Sequence, residues 1–164
     1  MGCPQLLYAV LEGCTSVFEF PPLPGLLRLT LSGSISLLHI HFLEWLLGLQ
    51  HLSLIDCPNL LEWRGLQHVC GLTHLTIDNC PGAIELPGIF EMIDLESARL
   101  TNCVNLRHAG GLIRLDKLAH VDLSGCTALL DLAELSSDDI CSILTTMPID
   151  MARLCELPGC WHGL

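Results

Sequence analysis

The stretch LQHLSLIDC, residues 49–57, decides the fold of this chain, because its pattern returns at a fixed interval of 23 residues. Leucine or another apolar residue stands at the first, fourth and sixth positions, and a small residue, mostly cysteine, stands at the ninth. Further copies at this interval are LLRLTLSGS (26–34), LTHLTIDNC (72–80), LESARLTNC (95–103) and LAHVDLSGC (118–126). A sixth copy, LLYAVLEGC (6–14), begins 20 residues before them. A constant period of this length predicts one short structural unit that is repeated and stacked.

The pattern predicts an α/β leucine-rich repeat solenoid, for which a period of roughly 20 to 29 residues is typical. Apolar and polar residues alternate within each copy, which predicts a short strand with its leucines pointing into the core. Strands of successive repeats then pair in parallel on the concave face. The connecting segments carry Pro and Gly and predict loops, 3₁₀ turns or one-turn helices on the convex face. Their apolar residues are expected to complete the core: Leu60, Trp63, Leu66, Ile84, Leu86, Ile89, Leu106 and Leu112.

The repeat pattern ends at Leu132, and a different kind of segment follows it. The tetrapeptide SSDD at residues 136–139 is a helix-start signal, because it supplies capping hydroxyls and first-turn carboxylates. It predicts a helix that ends before Pro148 and covers the last repeat as a C-terminal cap. We therefore divide the chain into a solenoid of about six repeats over residues 1–134 and a helical cap over residues 135–164. No comparable cap signal precedes the first repeat, which is expected to be open.

Composition and charge exclude several classes of partner. The chain has 18 acidic and 7 basic residues and a formal net charge of -11, which repels nucleic acid and anionic membranes. The most apolar stretch, residues 35–49, is 15 residues long and carries two histidines and a glutamate, so it is too short and too polar to span a bilayer. The start, MGCPQLL, has no secretory signal, and we expect a cytoplasmic protein.

Cysteine occupies the ninth position in five of the six copies, and Ser34 stands at that position in LLRLTLSGS. A residue type that recurs at one structural position fills one structural role, here a small, buried and weakly polar group near the turn after the strand. We expect these thiols to form a ladder that stays reduced, as is usual inside cells. The ladder consists of Cys14, Cys57, Cys80, Cys103 and Cys126.

Outward-facing positions of the predicted strands form three rows that run across the sheet. The first row is Tyr8, Arg28, His51, His74, Ser97 and His120. The second is Val10, Thr30, Ser53, Thr76, Arg99 and Asp122, and the third is Glu12, Ser32, Ile55, Asp78, Thr101 and Ser124. The rows are mixed in charge and rich in hydrogen-bonding groups, which suits recognition of a protein or peptide. The predicted partner-binding residues are Tyr8, Arg28, His51, His74, His120, Arg99, Asp78 and Asp122.

The histidines of the first row allow a sharper hypothesis. His51 and His74 fall at equivalent positions of neighbouring strands, so a metal that bridges them is one interpretation, with Asp78 or Asp122 nearby. Zinc sites need three or four converging ligands, and we therefore favour recurrence of a polar residue type and expect no metal. Stacked imidazoles resist simultaneous protonation, which predicts a modestly pH-sensitive patch.

No enzyme or cofactor signal is present in the sequence. It contains no Gly-rich phosphate loop, no G-x-S-x-G elbow and no H-E-x-x-H pair, and we expect no catalytic activity and no cofactor. Cys70 lies outside the ladder and is interpreted as a packed thiol. Cys155, Cys160 and His162 offer loosely spaced zinc ligands without an obvious fourth, and packing of the cap is the preferred interpretation.

The copies LQHLSLIDCPNLLEW and LTHLTIDNCPGAIELPGIF resemble the repeats of plant intracellular nucleotide-binding leucine-rich-repeat immune receptors. Cys57-Pro58-Asn59-Leu60 and Cys80-Pro81 match the Cys-Pro-x-Leu form of those repeats, whereas LESARLTNCVNL and LAHVDLSGCTAL lack the proline. The resemblance covers about Leu6 to Leu132. Cysteine-bearing repeats are also found in F-box-type proteins and in microbial repeat proteins.

The resemblance implies a disease-resistance function in innate immunity. Such a repeat region recognises a pathogen effector or a guarded host protein, and it packs against the receptor's own nucleotide-binding domain. The sequence holds no nucleotide-binding, coiled-coil, Toll-like or F-box segment, so we expect a fragment, a truncated family member or a stand-alone protein. The alternative is a stand-alone adaptor or substrate receptor, either F-box-like or microbial.

Overall fold

Six short strands form one sheet in the computed structural model, which describes residues 6–14 and 22–130. Each strand pairs in parallel with its neighbours in the chain, in the order β1 to β6. This arrangement confirms the predicted strands and is consistent with an α/β repeat fold. The strands are β1 (Tyr8–Glu12), β2 (Arg28–Ser32), β3 (His51–Ile55), β4 (His74–Asp78), β5 (Ser97–Thr101) and β6 (His120–Asp122).

The segments that connect β2 to β6, here called the return limbs, each contain one short 3₁₀ helix. The four helices are η1 (His41–Trp45), η2 (Arg64–His68), η3 (Ile89–Glu91) and η4 (Gly110–Arg114). The limbs also stack in register, because isolated parallel bridges join His39 to Glu62 and Glu85 to His108. Prediction of short 3₁₀ turns is confirmed, and residues 6–14 and 22–130 contain no α-helix.

Alternation along each strand sorts the side chains into a buried set and an outward set. In β3, Leu52 and Leu54 are buried, and the residues between and beside them are only partly covered. The same holds in β2, β4 and β5, so the predicted inward parity is confirmed. In the first and last strands the inward residues are only partly buried, because each has a neighbouring strand on one side: Ala9, Leu11 and Val121.

The return limbs complete the core with most of the predicted residues, but the prediction for Ile84 is wrong. Ile84 is 48% exposed, whereas Ala83 beside it is fully buried. The reason lies in the turn after the strand, where the amide of the third residue after the cysteine donates to the cysteine carbonyl, as from Ala83 to Cys80 and from Leu60 to Cys57. Ala83 is therefore the counterpart of Leu60, and Ile84 corresponds to the exposed Leu61.

In all six repeats a residue with positive φ follows the strand. Asp56, Asn79 and Asn102 have φ values of 52°, 51° and 55°, and glycine takes the equivalent place in the other repeats. Asn and Asp tolerate this conformation better than other residues with a side chain. The turn directs the chain out of the sheet and into the return limb.

Backbones of neighbouring limbs approach each other closely at Gly65 in η2. A Cβ atom there would lie 1.9 Å from the carbonyl oxygen of Ile40, which no side chain can occupy. Glycine at this position is therefore required by the distance between repeats.

The predicted C-terminal cap and the cysteines and histidine of the tail lie outside the described residues. Among the residues that are described, no helix has the length and apolar character needed to cross a membrane.

Candidate functional site

The outward side chains of the sheet, here called the strand face, form the three predicted rows. Register pairs Tyr8 with Arg28, Arg28 with His51, His51 with His74, His74 with Ser97 and Ser97 with His120. The second row is likewise continuous from Val10 to Asp122, and the third from Glu12 to Thr101. The eight predicted binding residues thus lie on one face of one sheet, and none of them is buried.

The first row carries a run of stacked planar groups. The Arg28 guanidinium lies over the Tyr8 ring, 5.8 Å from its centroid. The rings of His51 and His74 stack with centroids 4.4 Å apart and planes 24° apart. Strand register brings these side chains together, because parallel strands place equivalent residues about 4.8 Å apart. His74 is also fixed by a hydrogen bond between its Nδ1 and the Thr73 hydroxyl, 3.0 Å long.

His51 has a lowered pKa, chiefly because its partial burial disfavours the charged imidazolium. The positive charges of Arg28 and His74 lower the pKa further, whereas the carboxylate of Glu96 acts in the opposite direction. Near pH 7 His51 is therefore neutral, and one of its ring nitrogens can accept a hydrogen bond.

The third row and the turns after it are acidic. The Asp78 carboxylate accepts hydrogen bonds from the Thr101 hydroxyl (2.6 Å) and the Asn102 amide (3.0 Å). In the preceding repeat the Asp56 carboxylate accepts from the Asn79 amide at 2.7 Å. These bonds hold the carboxylates in place without neutralising them.

The β5–β6 half of the strand face is arranged differently. Arg99 Nε lies 3.9 Å from Asp122 Oδ2 in the second row, and the Asp122 carboxylate also accepts from the Ser124 hydroxyl and amide. His120 is exposed at the end of the first row. Here the predicted binding residues Arg99 and Asp122 contact each other.

Sequence reasoning missed two features of the surface. Glu96 lies outside the alternating strand positions, and only the structure shows that its charge reaches His51. His39 and His41 stack on a return limb with centroids 4.9 Å apart, and His41 Nε2 lies 3.3 Å from Glu62 Oε2. The spacing of 23 residues between His39 and Glu62 could have indicated this second cluster, because it places the two residues at equivalent positions of neighbouring return limbs.

Metal ligands do not converge on the strand face or on the limbs. Within residues 6–14 and 22–130, no group of three or more His, Cys, Asp or Glu side chains is arranged to hold a metal ion. A shallow depression of about 400 Å³ lies against η3, between Pro87, Phe90 and Gly111, and it contains none of the predicted binding residues.

The ladder cysteines are unbridged. Three of their thiols donate to backbone carbonyls of the preceding repeat. Cys80 Sγ lies 3.6 Å from the Leu54 oxygen, Cys103 Sγ 3.7 Å from that of Ile77, and Cys126 Sγ 2.9 Å from that of Leu100. A hydrogen bond with the Cys57 thiol, together with burial, raises the pKa of Cys80 far above its ordinary value. The partner thiol of Cys126 and burial do the same to the pKa of Cys103. The Cys80 and Cys103 thiols are therefore neutral groups of the core, whereas the same thiol–thiol hydrogen bonds lower the pKa of Cys57 and Cys126.

Cys70 lies outside the ladder, and Ser34 occupies a ladder position without a thiol. Cys70 is half-buried, and its thiol donates to the Gln67 carbonyl at 3.2 Å, with Glu91 Oε2 at 3.9 Å. Ser34 is fully buried at the cysteine position, and its hydroxyl has no hydrogen-bond partner within the described part of the chain.

Comparison with known proteins identifies no relative: neither the protein-family models nor the curated protein sequences match this chain.

Proposed function

We propose that this chain is a leucine-rich repeat solenoid that binds another protein through its strand face. The observation that carries the proposal is the array of three outward rows held in register, two of them across six strands and the third across five. The rows contribute little to the core, because the core is formed by the opposite parity of each strand and by the return limbs.

Dimensions and chemistry of the strand face suit a protein segment. Five spacings of about 4.8 Å and four of about 3.3 Å give a surface of roughly 24 Å by 13 Å. One helix or one extended segment of a partner covers such a surface. Hydroxyl, imidazole, guanidinium and carboxylate groups alternate on it, which matches the polar character of non-obligate protein interfaces. The net charge of -11 disfavours nucleic acid as the partner.

The finer part of the proposal is a role in plant defence, as the sensing region of an intracellular immune receptor. It rests on the resemblance of the Cys-Pro-containing repeats described above. In that role the partner is a pathogen effector, a guarded host protein or the receptor's own nucleotide-binding domain, and the site of action is the cytoplasm. The unbridged thiols of the ladder fit a reducing compartment.

Site-specific photo-crosslinking tests the strand face directly. A photoreactive phenylalanine analogue replaces Tyr8, which is 59% exposed in the first row of the strand face, or Trp45, which is 54% exposed on η1 and serves as the matched control. We expect the Tyr8 position to crosslink one discrete partner in cells of the source organism and the Trp45 position to crosslink none of it. Equal crosslinking at both positions, or crosslinking of that partner only from Trp45, contradicts the proposal.

A further inference from the structure

We propose that the β1–β4 half of the strand face binds a net-basic protein segment that carries one acidic side chain. The acidic side chain lies against Arg28, His51 and His74, and the basic side chains of the segment lie toward Glu12, Asp56 and Asp78. This inference rests on the proposed function and specifies the chemistry of the partner.

Basic side chains collect at the row where the strands begin. Arg28, His51 and His74, here called the basic row, occupy paired positions on β2, β3 and β4. Arg28 is exposed and forms no ion pair within the described residues, so its guanidinium can receive a carboxylate. The Arg28 guanidinium stacks on Tyr8 and the His51 ring on His74, so the hydrogen-bonding edges of Arg28 and His51 lie outside the stacked faces and can meet a carboxylate.

Negative charge collects where the same strands end. Glu12, Asp56 and Asp78, here called the acidic end, lie at or directly after the last residues of β1, β3 and β4. Hydrogen bonds from Asn79, Thr101 and Asn102 orient the two aspartates, and Glu12 is exposed. The middle row between the two charged groups is uncharged on these strands: Val10, Thr30, Ser53 and Thr76.

The two halves of the strand face differ in how their charges are satisfied. In the β5–β6 half the guanidinium of Arg99 already faces the carboxylate of Asp122 in the same row. In the β1–β4 half, opposite charges are instead separated by the length of a strand, about 13 Å for four residues. A ligand must therefore supply the opposite charges at that spacing.

The net charge of the whole chain favours a partner with a net positive charge. A net charge of -11 attracts basic proteins at long range and repels acidic ones. An all-acidic peptide complements the basic row but is repelled by the net negative charge of the chain. An all-basic peptide leaves Arg28 without a counterion. A basic segment with one carboxylate satisfies both conditions.

Protonation of His51 couples this binding to pH. Its ring faces Arg28 on β2, His74 on β4 and Glu96 before β5, and a carboxylate added beside it favours the imidazolium. Binding therefore takes up a proton, and the affinity rises as the pH falls from about 7.5 to 5.5.

A phage-displayed library of random 12-residue peptides, selected against the full chain, provides the probe. We expect enriched peptides to be net basic and to carry an Asp or Glu roughly four extended residues from a Lys or Arg. Synthetic copies of these peptides are then titrated against two double variants of unchanged net charge. One exchanges charges on the strand face (Glu12→Lys with Arg28→Glu), and the control exchanges them on the return limbs (Glu44→Lys with Arg64→Glu).

The strand-face exchange is expected to weaken binding by roughly tenfold or more, because two attractive contacts become repulsive. The return-limb exchange should leave the affinity within about twofold. Equal effects of the two exchanges, enrichment of peptides without an acidic residue, or no enrichment at all overturns the inference.

Two further readouts complete the experiment. Thr76→Arg places a large side chain in the middle row and should abolish binding of every enriched peptide. If the peptides still bind to Thr76→Arg, the proposed function itself fails. If Thr76→Arg blocks binding but the strand-face charge exchange does not change the affinity, only the inference fails. The affinity of the wild type should rise roughly fivefold as the pH falls from about 7.5 to 5.5, and that of His51→Gln should rise much less. An affinity that does not change with pH contradicts the placement of the acidic side chain beside His51.

Discussion

The central and outermost repeats use the same sequence pattern but bury it to different degrees. In β3 and β4 the inward side chains have neighbouring strands on both sides and are almost fully buried, as Leu54 and Ile77 are. In β1 and β6 the inward side chains have a paired strand on one side, and Leu11 and Val121 are only partly buried. Burial of a repeat therefore depends on its neighbours as much as on its own residues, as expected for stacked units.

The largest effect should come from removing a leucine at the sixth position of a central repeat. Leu54→Ala leaves a cavity in a fully buried site and should lower the free energy of unfolding by about 2–5 kcal/mol. Leu11→Ala and Leu123→Ala remove the same atoms from partly buried sites and should cost less than about half as much. Urea-induced unfolding followed by circular dichroism measures all three. Equal losses would show that the described ends are covered as fully as the centre.

A close contact between limbs of neighbouring repeats should give the next largest effect. Gly65→Ala places a methyl group on the carbonyl of Ile40 and should destabilise the fold by about 1–3 kcal/mol. Gly71→Ala is the matched control, because a Cβ there meets no atom within 4 Å. A shift of the urea midpoint only for Gly65→Ala is the expected result. Equal tolerance of both substitutions would mean that the repeats can move apart.

Ser34 interrupts the cysteine ladder and offers a stabilising change. Ser34→Cys replaces a buried hydroxyl, which has no partner among the described residues, by the thiol that the five other ladder positions carry, and it should stabilise by about 1 kcal/mol. Cys80→Ser makes the reverse change two repeats further along the ladder and should destabilise by about 1–2 kcal/mol. Both are measured by urea unfolding under reducing conditions. If Ser34→Cys were destabilising, the hydroxyl would have to be satisfied in the folded protein.

The smallest effect concerns the histidine pair. Because the pKa of His51 is lowered in the folded protein, the unfolded chain binds a proton more readily. The contribution of neutral His51 to stability is therefore complete above the ordinary histidine pKa of about 6.5, and it is lost as the pH falls from there through the lower pKa of the folded state. Proton NMR titration should place the pKa of His51 below 6.5, and His74→Ala should raise it, because the substitution removes a positive charge and uncovers the ring. A His51 pKa that did not respond to His74→Ala would exclude the coupling.

Periodicity of the sequence predicted the strands, their parity and their register, because one repeated spacing sets all three. The same spacing aligns Ala83 with the buried Leu60 and Leu106, but apolar character alone favours its larger neighbour Ile84 for the core, and that prediction is wrong. A turn hydrogen bond places Ala83 there instead, and this geometry is invisible to a count of apolar residues. The three rows already contain the basic row and the acidic end, but only the structure shows that Arg99 and Asp122 contact each other and so set the β5–β6 half apart.

Pairing of every strand with its immediate neighbours in the chain also determines how the molecule can assemble. Each contact between strands closes a loop of about one repeat, so no distant segments must meet before the sheet begins to form. Folding can start at any adjacent pair of repeats and spread in both directions. Under a stretching force the chain should come apart from its ends, in steps of about 23 residues.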